Sequence, residues 1–348
     1  MKTSKIILLI LFIILIISCK KNDNLEGFTN IDKVENANEN LETNMTKIKV
    51  GYMADFSGTS TAIIAQEKGY FINEHLDVEL VKFLNGPSEV DAMLADDIQF
   101  AYIGHGAHSL AIQGKVNVLF PNGLSKSEQI IARKDAKINS VADLDGKTIG
   151  TQIGTSSEIL LDLALQTSGV QRKNVKVLDM DGQRMVLSIF DKTIDAVSIQ
   201  APYTFEIMQK LSNDVKVITT ITNFYNVGSF PSSWIVTPDY QRKNPDIVEK
   251  FSKAILKAMD YRAANLEEAI EMVANFNKKS IEDVALEKET GIWFSGEDVR
   301  NAYIGGEVNK WYESQQNIFI FTKVLSTNID INKYVQIRFM NNNVLNEQ

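Results

Sequence analysis

The sequence predicts an α/β protein of two lobes, each built on a doubly wound, largely parallel sheet. Three observations carry that expectation. The chain has 348 residues, 44% of them hydrophobic, which is more than one lobe of ordinary size accommodates. Short apolar runs alternate with segments of helical period, the β-α-β-α order of parallel sheets. The cycle also starts twice, near residues 47 and 148, before the composition turns helical beyond residue 231.

The N-terminus stands outside the pattern. Two lysines in "MKTSK" precede "IILLILFIILII", twelve unbroken apolar residues, short of the roughly 20 that span a bilayer as a helix. Residues 1–18 therefore read as a signal peptide. The single cysteine, Cys19, follows in "LIISC", the order of an acylated lipoprotein N-terminus, and it leaves the mature chain with no disulfide partner. Two acyl chains there would hold the protein at a membrane surface. Residues 19–46 include seven asparagines and no apolar periodicity, as expected of a flexible tether.

From Lys47 the elements follow in order: "KIKVGYM" as a strand, "TSTAIIAQEKGYF" as a helix, "DVELVKFL" as a strand, "PSEVDAMLADD" as a helix, then strands "IQFAYI" and "VNVLF". The second cycle gives strand "TIGTQ", helix "SSEILLDLALQTSG", strand "NVKVLDM", helix "GQRMVLSIFDK", strand "DAVSI", helix "PYTFEIMQKL" and strand "VKVITT". In the tail, Val248, Phe251, Ile255 and Met259 form one apolar stripe, with Pro245 suited to a first helical turn. Further helices are expected at about 266–276, 280–290 and 297–315.

Composition narrows the function. A net charge of −8 without a block of five like charges argues against a nucleic-acid partner. The chain has no G-x-S-x-G, no H-E-x-x-H and no P-loop lysine, so no enzyme is expected. His105 and His108 in "GHGAHS" have only His75 besides, too few for a zinc site. The plain reading is a strand end in which Gly104 and Gly106 ease a tight turn, His105 faces a cleft and His108 lies buried one turn into a helix. No metal and no cofactor are expected.

In open α/β sheets, ligands bind beyond the carboxyl ends of the strands. Four loops qualify: "ADFSGTS" (54–60), "GHGA" (104–107), "GTSS" (154–157) and "QAPY" (200–203). Each offers backbone N–H groups at a helix start, with hydroxyls beside them, which suits an oxyanion; each also serves equally as a helix cap.

Read in order, "GYFINEHLDVELVKFLNG", "SVADLDGKTIGTQIGTSSEILLDLAL", "KTIDAVSIQAPY" and "NPDIVEKFSKAILKAMDY" resemble the substrate-binding proteins of ABC importers for nitrate, alkanesulfonates and taurine, a superfamily that includes thiamine-pyrimidine binders. The resemblance covers roughly residues 47–340. It implies the type II periplasmic-binding-protein fold, with lobe 1 formed by residues 47–134 and 232–348 and lobe 2 by 135–231. Crossings are then expected near "IIARK" (130–134) and "SSWIV" (232–236), with the helical tail on lobe 1. It further implies ligand contacts from Asp55, Ser57, Thr59, Ser60, Gly104, His105, Gly106, Thr155, Ser156, Gln200 and Tyr203. Gln200 departs from the pattern, since many relatives carry an aromatic residue there, and an amide stacks poorly. Asp55 either pairs with a ligand amine or caps the following helix. The implied protein is a monomeric, lipid-anchored, extracytoplasmic receptor. It takes an alkanesulfonate, taurine or nitrate-like solute and delivers it to an ABC permease with its ATPase. A heterocyclic vitamin precursor, or a surface lipoprotein without transport role, is the alternative.

Overall fold

The computed structural model describes residues 45–345, so the signal peptide, Cys19 and nearly all of the tether lie outside the described residues. Two mixed sheets, each flanked by helices, make two lobes. The first run comprises β1 (Thr46–Met53), α1 (Phe56–Glu67), α2 (Tyr70–Asn73), β2 (Leu76–Phe83), α3 (Gly86–Leu94), β3 (Phe100–Ile103), α4 (His108–Ile112) and β4 (Asn117–Ser125). The second comprises β5 (Gln129–Arg133), β6 (Thr148–Thr151), α5 (Ser156–Thr167), β7 (Lys176–Asp179), α6 (Gly182–Phe190), β8 (Ala196–Ile199), α7 (Tyr203–Leu211) and β9 (Val215–Thr220). The chain then returns through β10 (Pro231–Val236) and the tail: α8 (Pro238–Lys243), α9 (Pro245–Ala264), α10 (Leu266–Asn277), α11 (Ile281–Lys288), β11 (Gly291–Trp293), α12 (Gly296–Gly305), α13 (Glu307–Phe321) and α14 (Ile337–Asn343).

The first sheet has the order β11-β4-β10-β3-β1-β2 and the second β7-β6-β8-β5-β9. In each, the strands laid down by β-α-β units are parallel: β1 with β2 and β3, and β6 with β7 and β8. The strands that carry the chain between lobes run antiparallel to their neighbours, β10 between β3 and β4, and β5 between β8 and β9. The sheets are therefore more mixed than the β-α-β pattern alone suggests. Where "IIARK" was expected at the crossing, residues 129–133 pair entirely within the second sheet, because Ile130 and Ile131 are fully buried there. The chain changes sheets between Ser125 and Gln129 and returns between Thr220 and Pro231.

Packing explains why the tail joins the first lobe. Its stripe of Val248, Phe251, Ile255 and Met259 is wholly buried, and the Phe251 ring stacks on Phe100 of β3 at 3.9 Å and meets Trp234 of β10 at 5.6 Å. A second apolar cluster, including Ile131, Met185, Ile189, Val197 and Ile207, fills the other lobe between β5, β8, α6 and α7. Two local readings change. Residues 297–315, expected as one helix, are two, because Gly306 takes the left-handed conformation (φ 77°) that ends α12 and starts α13. Helix α1 starts at Phe56, three residues before the expected "TSTAII", because Asp55 caps it. Among the described residues, no helix is long and apolar enough to cross a membrane.

Candidate functional site

Between the lobes lies a small cavity of about 80 Å³. Strand ends and helix starts of both lobes supply it. Asp55 and Ser57 come from the start of α1, Asn85 to Pro87 from the start of α3, and Gly104 and His105 from the turn after β3. Thr155 and Ser156 face them from the start of α5, with Gln200 and Ala201 from the segment after β8. The crossing contributes Ser125, Ser127 and Glu128. A wider mouth continues outward past Tyr203, Lys82 and Lys279, sharing Asp55, Gln200 and Glu287 with the inner cavity.

Of the eleven expected contact residues, seven line the inner cavity: Asp55, Ser57, Gly104, His105, Thr155, Ser156 and Gln200, while Tyr203 lines the mouth. Thr59 and Ser60 do not line it. Because α1 begins early, both fall inside its buried first turns, where the Thr59 hydroxyl donates to Met53 O (3.0 Å) and the Ser60 hydroxyl accepts from Arg262 (3.0 Å). Gly106 lies behind the lining, where the lobes touch: its N–H points at Ser156 Oγ at 3.3 Å.

The Asp55 carboxylate caps α1, its Oδ1 accepting from Gly58 N–H (2.7 Å) and from the Ser57 hydroxyl (2.8 Å). Burial holds the carboxyl above its usual range, against the lowering effect of those donors and of Lys279. Glu287, from the far tail, accepts Phe56 N–H at 2.9 Å and Lys279 Nζ at 2.5 Å. Burial pushes it up to about 7, with Lys279 opposing the rise and Asp55 adding to it. Deeper still, Glu89 is fully buried with neither oxygen hydrogen-bonded, and burial drives its carboxyl well above the usual range, with Asp55 adding to the rise.

The two histidines part company. His105 Nε2 stands 3.3 Å from Glu128 Oε1, close but not aligned as a hydrogen bond. Burial alone would raise the Glu128 carboxyl, but His105 and the Ser125 hydroxyl outweigh it and hold Glu128 below its usual range. His108 faces away from the cavity. Its Nε2 meets Ser233 Oγ and its Nδ1 meets Gln315 Nε2, each at 2.9 Å, and burial pushes its pKa down to about 3. A neutral imidazole accepting from Gln315 at Nδ1 then donates to Ser233 from Nε2. Among the described residues, no three His, Cys, Asp or Glu side chains are grouped to hold a metal ion.

Sequence reasoning missed Glu128, Glu287, Tyr102 and Trp293, all of which line the cavity. Tyr102 points from the buried strand β3, and the Trp293 ring packs 5.7 Å from that of Phe56. Only Glu128 carried a usable signal, as an acidic residue in the short polar link "SKSE" between two apolar runs.

A family model described as NMT1/THI5 like matches residues 58–269. A Brucella abortus (strain 2308) protein, whose name assigns it binding without naming a ligand, is 33% identical over 287 residues, 82% of this chain and 89% of that one. The taurine-binding periplasmic protein of Escherichia coli (strain K12) is 25% identical over 222 residues, 62% of this chain and 68% of that protein. The formylaminopyrimidine-binding protein of Halalkalibacterium halodurans is 23% identical over 326 residues, 90% and 92% of the two chains. Among solved structures, the periplasmic aliphatic sulphonate binding protein of E. coli superimposes with a TM-score of 0.64 at 20% identity, covering 83% of this chain and 91% of its own. That likeness identifies the periplasmic-binding-protein fold.

Proposed function

The chain belongs to the NMT1/THI5-like family, and from that premise we propose that it is an extracytoplasmic solute-binding protein of an ABC importer. The observation that carries the reading is convergence: residues as far apart as Asp55, His105, Thr155 and Gln200 line one cavity between two lobes. In this reading the solute is held by Asp55, Ser57, Gly104, His105, Thr155, Ser156 and Gln200, with Tyr203 at the mouth. The lobes close on it by moving about the two crossings, and the closed form docks on a permease driven by an ATPase. Closure is a population shift, limited by how much better the solute binds the closed form. Relatives whose names specify taurine or formylaminopyrimidine support a small polar solute. Acylation at Cys19 anchors the monomeric receptor to the membrane.

The test is a thermal-shift screen with taurine, alkanesulfonates, nitrate, bicarbonate, thiamine, its aminopyrimidine precursor and riboflavin. A solute that binds only the folded chain adds roughly 2.7 kcal/mol of stability at a hundred times its Kd. For a chain of this size that raises the melting temperature on the order of 5 °C. Titration calorimetry of each hit should give one site per chain. A screen in which nothing shifts the transition, repeated on protein freed of any co-purifying molecule by refolding, would overturn the proposal.

A further inference from the structure

A charged group buried without a counter-charge is costly, and the fold keeps one directly behind the cleft. Arg262, in α9, is 1% exposed, and its guanidinium meets only neutral acceptors. One terminal nitrogen donates to Ser60 Oγ at 3.0 Å and to Asn122 Oδ1 at 3.2 Å. The other donates to Asn122 O at 3.2 Å and to Phe294 O at 2.9 Å. Among the described residues no carboxylate pairs with it, and burial brings its pKa down to about 9, which leaves it charged at neutral pH. Ala258 and Met259, one turn earlier on the same buried face, are apolar, so packing alone asks for no charge here.

The segments it ties together carry one wall of the cavity. Ser60 belongs to α1, whose first residues, Phe56 and Ser57, line the cavity. Asn122, in β4, passes the hold on, its Nδ2 donating to Ser57 O at 3.1 Å. Phe294 follows Trp293, whose ring centre lies 5.7 Å from the guanidinium carbon. Three carboxyl groups line the same cavity, those of Asp55, Glu128 and Glu287, with no lysine or arginine among its described lining residues. Lys279, at the mouth, is taken up by Glu287 and by Ala54 O. Arg262 therefore stands behind the wall with its charge unpaired, and the surrounding protein screens that charge far less than water would.

Resting on the solute-binding reading, we propose that Arg262 is a positioning residue of the cleft that works by charge as well as by hold. It fixes the wall made by Phe56, Ser57 and Trp293, and it makes that wall electropositive against the carboxyl groups lining the same space. Arg262 touches no solute itself. Its hydrogen bonds set where the wall stands, and its charge sets which sign of charge the wall attracts. An arginine with a purely structural role would do only the first.

Two substitutions separate these effects, because both leave hydrogen-bond donors in place and only one keeps the charge: Arg262→Lys and Arg262→Gln. In a Trp311→Phe background Trp293 is the one partly exposed indole, Trp234 being fully buried, so its fluorescence reads the wall without any solute. Quenching by neutral acrylamide reads the position of the wall. Iodide against caesium, each scaled to free N-acetyltryptophanamide, reads its charge. Acrylamide quenching should rise in both variants, since neither restores the guanidinium fork. The iodide-to-caesium ratio should fall about twofold or more in Arg262→Gln and stay near its starting value in Arg262→Lys. Titration calorimetry with taurine and methanesulfonate should show roughly tenfold weaker binding in Arg262→Gln, partly recovered in Arg262→Lys. Should Arg262→Gln fail to fold, Asn122→Asp sets a carboxylate against the guanidinium and should lower the ratio in the same way. Equal ratios in the lysine and glutamine variants, or wild-type affinity for either probe in Arg262→Gln, overturn the proposal and leave the solute-binding reading standing. Where only another compound of the thermal-shift screen binds, the quenching ratio decides. If no compound binds the wild type, the solute-binding reading fails, and the part given to Arg262 fails with it whatever the quenching shows.

Discussion

Replacing Gly106 by alanine places one methyl group on the seam between the lobes. Its carbon would stand 2.1 Å from the Thr155 carbonyl carbon and 2.5 Å from the Thr155 oxygen, where ordinary contact begins at 3.4 Å. Every close atom belongs to the other lobe, so the first lobe can keep its fold while the seam opens by roughly 1 Å. Overpacking of this kind costs about 1–3 kcal/mol, and the lost hydrogen bond from Gly106 N–H to Ser156 Oγ adds about 1 kcal/mol more. That cost falls on the arrangement in which the lobes touch, and binding a solute requires it. We expect affinity for a solute found in the screen to drop by roughly 30- to 900-fold, the equivalent of that total of about 2–4 kcal/mol. Titration calorimetry reads the affinity. Small-angle scattering at saturating solute should show the variant with the larger radius of gyration, and its unliganded melting temperature should stay near wild type. Wild-type affinity in Gly106→Ala would refute the idea that this seam closes on ligand.

Three further outcomes are expected. Glu287 binds its proton more tightly folded (about 7) than at its ordinary 4.5, so its contribution to stability is present below pH 4.5 and is lost as the pH rises through 7. Relative to Glu287→Gln, the wild type should lose up to about 3 kcal/mol across that window in urea melts, and parallel profiles would contradict the burial argument. His108→Ala leaves Ser233 and Gln315 without their shared partner in a fully buried site, and should destabilise by roughly 2–4 kcal/mol in the same assay without altering solute affinity. Labelled fatty acid should enter the wild-type protein in cells and be absent from Cys19→Ala, which should accumulate as uncleaved precursor; equal labelling would remove the anchor from the account.

The sequence carries its local signals openly and its distant ones hardly at all. The strands around Val50, Ile103 and Val197 announce themselves because a strand buried on both faces reads as an apolar run. The α9 stripe is equally plain, since helical period and burial coincide in Phe251 and Ile255. Helix α1 was legible except for its start, where serine and glycine after Asp55 resemble a loop, and that error put Thr59 and Ser60 in the cleft. β4 was cut short because Pro121 and Gly123 look like a terminator, whereas the strand continues through them with irregular register against β10. Glu287 is 231 residues from the N–H it accepts. No window on the sequence spans such a pair, and only the packed tail brings it to the cleft.

The position of β10 sets an order on the birth of the molecule. The first sheet keeps a gap between β3 and β4 until the chain has been made to Val236, and its outer cover waits on α9 and beyond. The second sheet, drawn wholly from residues 129–220, is complete earlier and needs nothing from the tail to pair its strands. Emerging from a ribosome or a secretion channel, the inserted lobe can thus mature while the lobe that surrounds it in sequence is still two bare edges. Those edges are open to pairing with other chains until β10 arrives. A chain cut after residue 230 is left permanently in that condition, and should be recovered as aggregate even though one of its lobes has every strand it requires.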